Sequence, residues 1–186
     1  MLLNMNKTNE KITTSEILSL DISSFSKLTS IEQVNTISIL NKILTTSELV
    51  KKFKPTLVPN GDGFHIIFKR KYQAYKVALY LKANEYIINK VVKDFNGVRI
   101  SVHEGTHFSF LNILGNIEYM GNGIRETELL TTMKTLFFKE SILVNKKCLD
   151  FNNKQYTFKY SSNIHKVYLD FQNENQITEV INIWNY

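Results

Sequence analysis

Apolar and polar positions divide the chain into a series of short periodic stretches. Ile17-Leu18-Ser19-Leu20-Asp21-Ile22 is an apolar run with single polar interruptions, and it predicts a buried strand. Ser23-Ser24-Phe25-Ser26 breaks it. Over residues 30–50, Ile31, Val34, Ile37, Leu40 and Leu44 recur at helical spacing, with Ser30 as the expected N-cap. Thr56-Leu57-Val58 and Phe64-His65-Ile66-Ile67-Phe68 predict two strands, joined by the turn Pro59-Asn60-Gly61-Asp62-Gly63. Residues 70–92 predict a second helix with Ala74, Val77, Ala78, Leu81, Ile88 and Val91 on one face, stopped by Asn96-Gly97. Val98 to Val102 reads as a strand, Phe108–Leu111 and Ile117–Met120 as a hairpin, residues 124–138 as a helix and Ile142–Val144 as a strand. Two further strands are expected near Tyr156–Tyr160 and Lys166–Phe171. The order β-α-β-β-α-β with C-terminal additions predicts an α+β sandwich of the ferredoxin-like, split βαβ kind.

Composition narrows the class. The chain has 186 residues, 43% of them hydrophobic, which suits one globular domain over residues 1–186 rather than a disordered chain. Its two prolines, Pro55 and Pro59, mark no linker. A single cysteine, Cys148, excludes an internal disulfide and a cysteine-built metal site, and fits a reducing compartment. The apolar part of MLLNMNKTNEK is too short for a signal-peptide core, and no run is long enough to span a bilayer. A cytoplasmic protein is expected. The net charge of +6 is scattered, with Lys69-Arg70-Lys71 the longest basic cluster. It reads as a solvated surface rather than a nucleic-acid footprint.

Two acidic residues carry the candidate chemistry. Asp21 ends a strand otherwise rich in Ile and Leu, where a carboxylate is costly unless paired or bound to a cation. Asp62 lies between two glycines at a hairpin tip, where the backbone turns tightly and approaches a ligand closely. In a ferredoxin-like sheet the first strand adjoins the middle hairpin, so the two carboxylates converge on one face. That is what Mg²⁺ or Mn²⁺ on phosphates requires. The segment after Asp21 leads toward a helix start, whose N–H groups suit β- and γ-phosphates, with Ser24 and Ser26 assisting. Taken singly, Asp21 reads equally as a cap or Asx-turn residue and Asp62 as ordinary turn chemistry. His65, His103, His107 and His165 show no helical ligand spacing and read as strand or surface residues.

Four ordered blocks resemble the class III adenylate and guanylate cyclase family. Leu20-Asp21-Ile22-Ser23-Ser24-Phe25-Ser26 is similar to its first metal block, and Asn60-Gly61-Asp62-Gly63-Phe64 to its second. Val98-Arg99-Ile100-Ser101-Val102-His103-Glu104-Gly105 resembles its strand ending in I-x-x-H-x-G. Tyr119-Met120-Gly121-Asn122-Gly123-Ile124 resembles the block that opens the next helix. The resemblance spans residues 15–145. It implies cyclisation of a nucleoside triphosphate, the 3′-hydroxyl attacking the α-phosphorus and pyrophosphate leaving. It also implies two Mg²⁺ or Mn²⁺ ions per site held by Asp21, Asp62 and the Ile22 carbonyl, with Ser24, Phe25 and Ser26 at the phosphates. A head-to-tail homodimer with shared sites follows from it, the metal face of one protomer meeting the Gly121–Leu130 region of the other.

The departures from the family are as informative. Its adenine-reading Lys and Asp correspond to Val58 and Glu118, so the usual pair is absent. Its Asn and transition-state Arg correspond to Arg125 and Leu129, which leaves Arg125 as the candidate for the missing charge. Lys166, in Ile164-His165-Lys166-Val167-Tyr168, matches loosely a family lysine that contacts the triphosphate. A short cyclase with a rewritten base pocket resembles the bacterial Pycsar anti-phage cyclases, which make cyclic UMP or cyclic CMP. Three alternatives remain: an adenylate cyclase, a catalytically inactive cyclase-like domain that binds nucleotide or a partner, and a nucleic-acid-binding ferredoxin-like module.

Overall fold

The computed structural model describes residues 12–133, 136–137, 141–150, 159–168 and 177–184. Its strands are β1 (Thr13–Ile22), β2 (Thr56–Asn60), β3 (Gly63–Phe68), β4 (Val98–Leu111), β5 (Ile117–Met120), β6 (Ile142–Asn145), β7 (Lys159–Tyr168) and β8 (Ile177–Trp184). Its helices are α1 (Ser30–Thr46), α2 (Glu48–Phe53), α3 (Ala74–Asn84), α4 (Tyr86–Asn89) and α5 (Asn122–Thr132). The sheet runs β2-β3-β1-β4-β6-β8-β7, with β5 paired to β4 off that path. Its first half is the expected split βαβ arrangement: β1 lies antiparallel between β3 and β4, the two strands of the second crossover.

Strand alternation gives the sheet two distinct faces. Leu18, Leu20 and Ile22 of β1, Phe64, Ile66 and Phe68 of β3, and Val98, Ile100 and Val102 of β4 share one face. They form the main core with Leu40, Leu44, Tyr75, Val77, Ala78, Leu81 and Ile88 from α1, α3 and α4. Ile17, Ser19 and Asp21, with His65, Ile67, Arg99, Ser101 and His103, share the other face, on which α5 lies.

Several local expectations are corrected. The N-cap of α1 is Thr29, not Ser30: Glu32 lies three residues on and closes a capping box, its carboxylate accepting Thr29 N–H at 3.0 Å. The helical face turns on Leu40, Ile43 and Leu44, leaving Ile31 75% and Val34 68% exposed. Ser47 ends α1 and caps α2. The second helix breaks at Glu85, and Val91 lies beyond α4 and exposed. The helix expected over 124–138 is α5, which starts at Asn122 and ends at Thr132. The described parts of the two tail strands expected near Tyr156–Tyr160 and Lys166–Phe171 both belong to the single strand β7, and β8 lies beyond either of them; residues 156–158 and 169–171 lie outside the described residues. His65, His103 and His107 lie on strands, one of the two places expected for them, and are buried there.

Glu16 anchors α3 from β1. Its carboxylate accepts backbone N–H groups from Tyr72 (2.6 Å), Gln73 (3.0 Å) and Ala74 (3.1 Å). These are the orphan donors of a helix start that lacks a side-chain cap of its own. Burial nonetheless raises the Glu16 pKa, against those three hydrogen bonds.

Candidate functional site

The ladder geometry of β1 brings the backbone positions of the two candidate acids close together. Asp21 pairs with Gly63 on one side and Arg99 on the other, and Asp62 immediately precedes Gly63. Gly63 makes this approach possible. A Cβ there would fall 1.9 Å from the Leu20 carbonyl oxygen, so any side chain would push the hairpin off β1. Ser23 N–H donates to the Gly97 carbonyl at 2.9 Å. Antiparallel alternation then makes Asp21–Arg99 a hydrogen-bonded pair and turns the Ile22 carbonyl toward the β3 side, where Asp62 lies.

Arg99 is the site residue that sequence reasoning passed over. Its Nε donates to Asp21 Oδ2 at 2.8 Å, and its Nη2 contacts the same oxygen. The pair is partly open, with side chains 21% and 28% exposed for Arg99 and Asp21. Arg99 stood inside one of the quoted blocks, but only the β1–β4 register reveals that it faces Asp21. Beside it lies a cleft of about 410 Å³ lined by Ser23, Lys82, Glu85, Asn96 and Gly97 among others. Lys82 and Glu85 form its wall: Lys82 Nζ donates to Glu85 (2.7 Å) and to the Val98 carbonyl (2.7 Å), while Glu85 accepts Val98 N–H (2.9 Å).

After Ile22 the chain does not enter α1 directly. Ser24 adopts a left-handed conformation, φ 60°, and Phe25–Lys27 form one 3₁₀ turn. Gln33 of α1 steadies this loop by donating from Nε2 to the carbonyls of Phe25 (3.1 Å) and Leu28 (3.2 Å). The N–H groups beside Asp21 therefore belong to the Ser24-Phe25-Ser26 loop, while the first turn of α1 is closed by its own capping box.

Helix α5 is locked to the same sheet face. Gly123 packs directly on Gly105, and Ser101 Oγ donates to the Thr127 carbonyl at 2.7 Å. His103 bridges α5 and β6. Asn145 Oδ1 accepts Lys147 N–H (3.0 Å), which directs Asn145 Nδ2 at His103 Nδ1 (2.9 Å). His103 is thereby the Nε2–H tautomer, donating to Glu126 at 3.0 Å. Further along α5, Glu128 accepts from Asn60 of the hairpin at 3.4 Å. His65 lies beneath, 5% exposed, with Nδ1 unpartnered among the described residues and its pKa lowered by burial.

The other expected positions lie elsewhere in the same chain. Val58 is on β2, opposite His65, and packs with Tyr119 on Ile17, Ile67 and Ile124. Arg125 is exposed, two residues past Gly123, whose contact Gly105 is about 20 Å of strand from Arg99. Glu118 accepts from Asn112 (2.7 Å) and pairs with Phe110. Roughly 35 Å of β4 separates it from the Arg99 level. Lys166 lies on β7, the fourth strand out from β1 and about 19 Å away across the sheet. A single chain thus assembles Asp21, Ile22, Asp62 and the Ser24–Ser26 loop, but brings neither Glu118 nor Lys166 to them.

Among the described residues no group of three or more His, Cys, Asp or Glu side chains gathers to hold a metal ion unaided. Two carboxylates and a carbonyl fit instead an ion that completes its shell with phosphate oxygens and water, as Mg²⁺ does. That Asp21 already accepts a guanidinium shows that this carboxylate takes a cation. Among the described residues no helix is long and apolar enough to cross a membrane.

Comparison with known proteins places this geometry. No family model and no curated protein matches the sequence. Solved structures do. The guanylyl cyclase Cya2 superposes with a TM-score of 0.70 at 12% identity, covering 95% of this chain and 94% of that one. The catalytic core of a rhodopsin-guanylyl cyclase with converted specificity, in complex with ATPαS, gives 0.69 at 12% identity, with 96% and 100% covered. The adenylyl cyclase CyaB from P. aeruginosa gives 0.64 at 10% identity, with 95% and 97% covered. At such identity the likeness is one of fold, and the chain has the α+β fold of adenylyl and guanylyl cyclase catalytic domains.

Proposed function

We propose that this chain is a nucleotidyl cyclase that converts a pyrimidine nucleoside triphosphate, UTP or CTP, to the 3′,5′-cyclic nucleotide and pyrophosphate. The observation that carries the reading is the register Asp21↔Gly63, which sets Asp21 and Asp62 side by side in a fold shared with cyclase catalytic domains. Asp21, Asp62 and the Ile22 carbonyl would hold two Mg²⁺ or Mn²⁺ ions. Bound there, such ions supply activation of the attacking oxygen and neutralisation of the leaving one. The Ser24-Phe25-Ser26 loop receives the triphosphate. The substrate's 3′-oxygen forms a bond to the α-phosphorus, the bond to the bridging oxygen breaks, pyrophosphate leaves and the hydroxyl proton passes to solvent.

Base and transition-state contacts come from a second copy. Glu118 and Lys166 lie too far along and across the sheet to serve their own Asp21, so a shared site in a homodimer supplies them together with Val58 and Arg125. The β4–β5 hairpin supports such pairing: Leu111, Ile113, Leu114, Ile117 and Met120 are all exposed there. Val58 favours a base other than adenine, being an apolar, half-buried residue where a lysine would read the ring. On this reading the product is an anti-phage second messenger of the Pycsar kind.

One observation favours a second reading, a nucleotide-binding domain without catalysis: Leu129 stands where a transition-state arginine would be. Incubating the protein with each of the four ribonucleoside triphosphates and Mn²⁺, and identifying products by mass, separates the readings. Cyclic UMP or cyclic CMP supports the proposal. Dominant cyclic AMP makes the chain an adenylate cyclase, and nucleotide binding without any cyclic product makes it the inactive domain.

A further inference from the structure

We propose that Arg99 is an internal cation that occupies the metal-binding oxygen of Asp21 until a divalent ion displaces it. This rests on the reading of Asp21 and Asp62 as metal holders. Both donors of Arg99, Nε and Nη2, converge on the one oxygen Oδ2. Oδ2 so engaged is not free to coordinate, so Asp21 can offer both of its carboxylate oxygens to the two ions only when this pair breaks. The pairing is enforced by the fold: Asp21 and Arg99 are opposite residues of β1 and β4, and Ser23–Gly97 fixes the ladder next to them.

The guanidinium has somewhere to go. The cleft of about 410 Å³ beside it is lined by the polar residues Ser23, Glu85, Asn89 and Asn96 among others. Lys82 on that wall is already tied to Glu85 and the Val98 carbonyl, so it does not compete for Asp21. Arg99 turning from Asp21 toward this cleft exchanges one set of acceptors for another, without moving the backbone of β4. A site built this way stays closed at low metal concentration. Its threshold is set by a residue that need not touch the ion.

Mn²⁺ binding without nucleotide, followed by electron paramagnetic resonance, tests the idea alongside ¹⁵N spectra of the arginine Nε–H groups during Mg²⁺ titration. Arg99→Gln is expected to bind Mn²⁺ tighter by about tenfold to a hundredfold, the worth of hydrogen bonds to a charged group. Arg99→Lys, which keeps a cation, is expected to stay close to the wild type. The Arg99 Nε–H signal, assigned by its loss in Arg99→Lys, should be protected without metal and lose protection at the Mg²⁺ concentration that fills the site. The proposal fails if Arg99→Gln binds no tighter while Asp21→Asn abolishes binding, or if Arg99 Nε–H does not respond to Mg²⁺. If neither Asp21→Asn nor Asp62→Asn changes Mn²⁺ binding, the metal reading itself falls and takes the proposal with it.

Discussion

Gly105 of β4 and Gly123 of α5 meet backbone to backbone: a Cβ built on Gly105 would lie 2.3 Å from Gly123 Cα, and one on Gly123 would lie 2.5 Å from the Gly105 carbonyl carbon. The atoms in the way are main chain, so the contact cannot relax by rotating a side chain. Either glycine changed to alanine must lift α5 from the sheet. The expected loss is about 1–3 kcal/mol, as for overpacked cores. Urea denaturation of Gly105→Ala and Gly123→Ala measures it. The hydroxyl contacts of Ser101 with α5 should be strained as well, so either alanine should cost more than Gly115→Ala, whose added Cβ meets nothing within 4 Å and which bears only the strain of its left-handed φ of 78°.

Glu16 makes a second prediction, with a sign. Burial raises its pKa above the usual value of 4.5, and nearby Glu104 adds to the shift. The folded chain then holds a proton more tightly than the unfolded one. Stability attached to this group is greatest below the usual glutamate range and falls as the pH rises through the raised folded value. Relative to Glu16→Gln, the wild type should therefore gain stability as the pH drops from neutral toward 4.5, and level off below it. Urea midpoints for the two proteins across that range check the slope. The opposite slope would mean that the three backbone donors outweigh burial.

Asp62 lies in the turn between β2 and β3, so changing it should leave the sheet intact. Asp62→Asn is expected to lower cyclase turnover by at least about a hundredfold, since stabilisation of several kcal/mol is attributed to metal-ion catalysis. Product formation by mass and an unchanged circular dichroism spectrum together make the test. Activity retained within a few-fold would remove Asp62 from the site.

Complementation between variants tests the shared site. On the proposed reading, Asp21→Asn and Arg125→Ala disable opposite halves of it. Each alone should be inactive. Mixed in equal amounts and allowed to exchange, half of the dimers pair unlike chains, and each of those has one intact site of two. About a quarter of wild-type activity should return, as two-fold symmetry requires. No recovery in a mixture shown to exchange subunits would confine catalysis to one chain or remove Arg125 from it.

Much of the half of the fold that bears the carboxylates could be read from the chain. Ile17–Ile22, the Gly61–Gly63 turn and Phe64–Phe68 have strong alternation or turn chemistry, and these elements formed as expected. Where two local signals competed, the sequence was harder to read. Thr29 and Ser30 are both good caps, and the partner Glu32 decides between them. Ile31 and Val34 keep helical spacing, yet the rotation of α1 follows Leu40, Ile43 and Leu44, whose packing against other elements no spacing rule contains. The last strand, Ile177–Trp184, mixes Thr, Glu and Asn with its apolar residues, and is a strand because β6 and β7 flank it. Arg99 was missed for the same reason: its partner is 78 residues away, and only register joins them.

The pairing of Asp21 with Gly63 carries one last consequence. Strand side chains alternate, so a slip of β3 by a single residue would set Phe64 beside Asp21 and exchange the faces of His65 and Ile66. The acidic pair would be dispersed while most hydrogen bonds of the ladder survived. On the proposed reading of Asp21 and Asp62 as metal holders, divalent-ion affinity would distinguish correctly threaded molecules from near-native misfolds of almost equal strand content, which far-ultraviolet spectra would score alike.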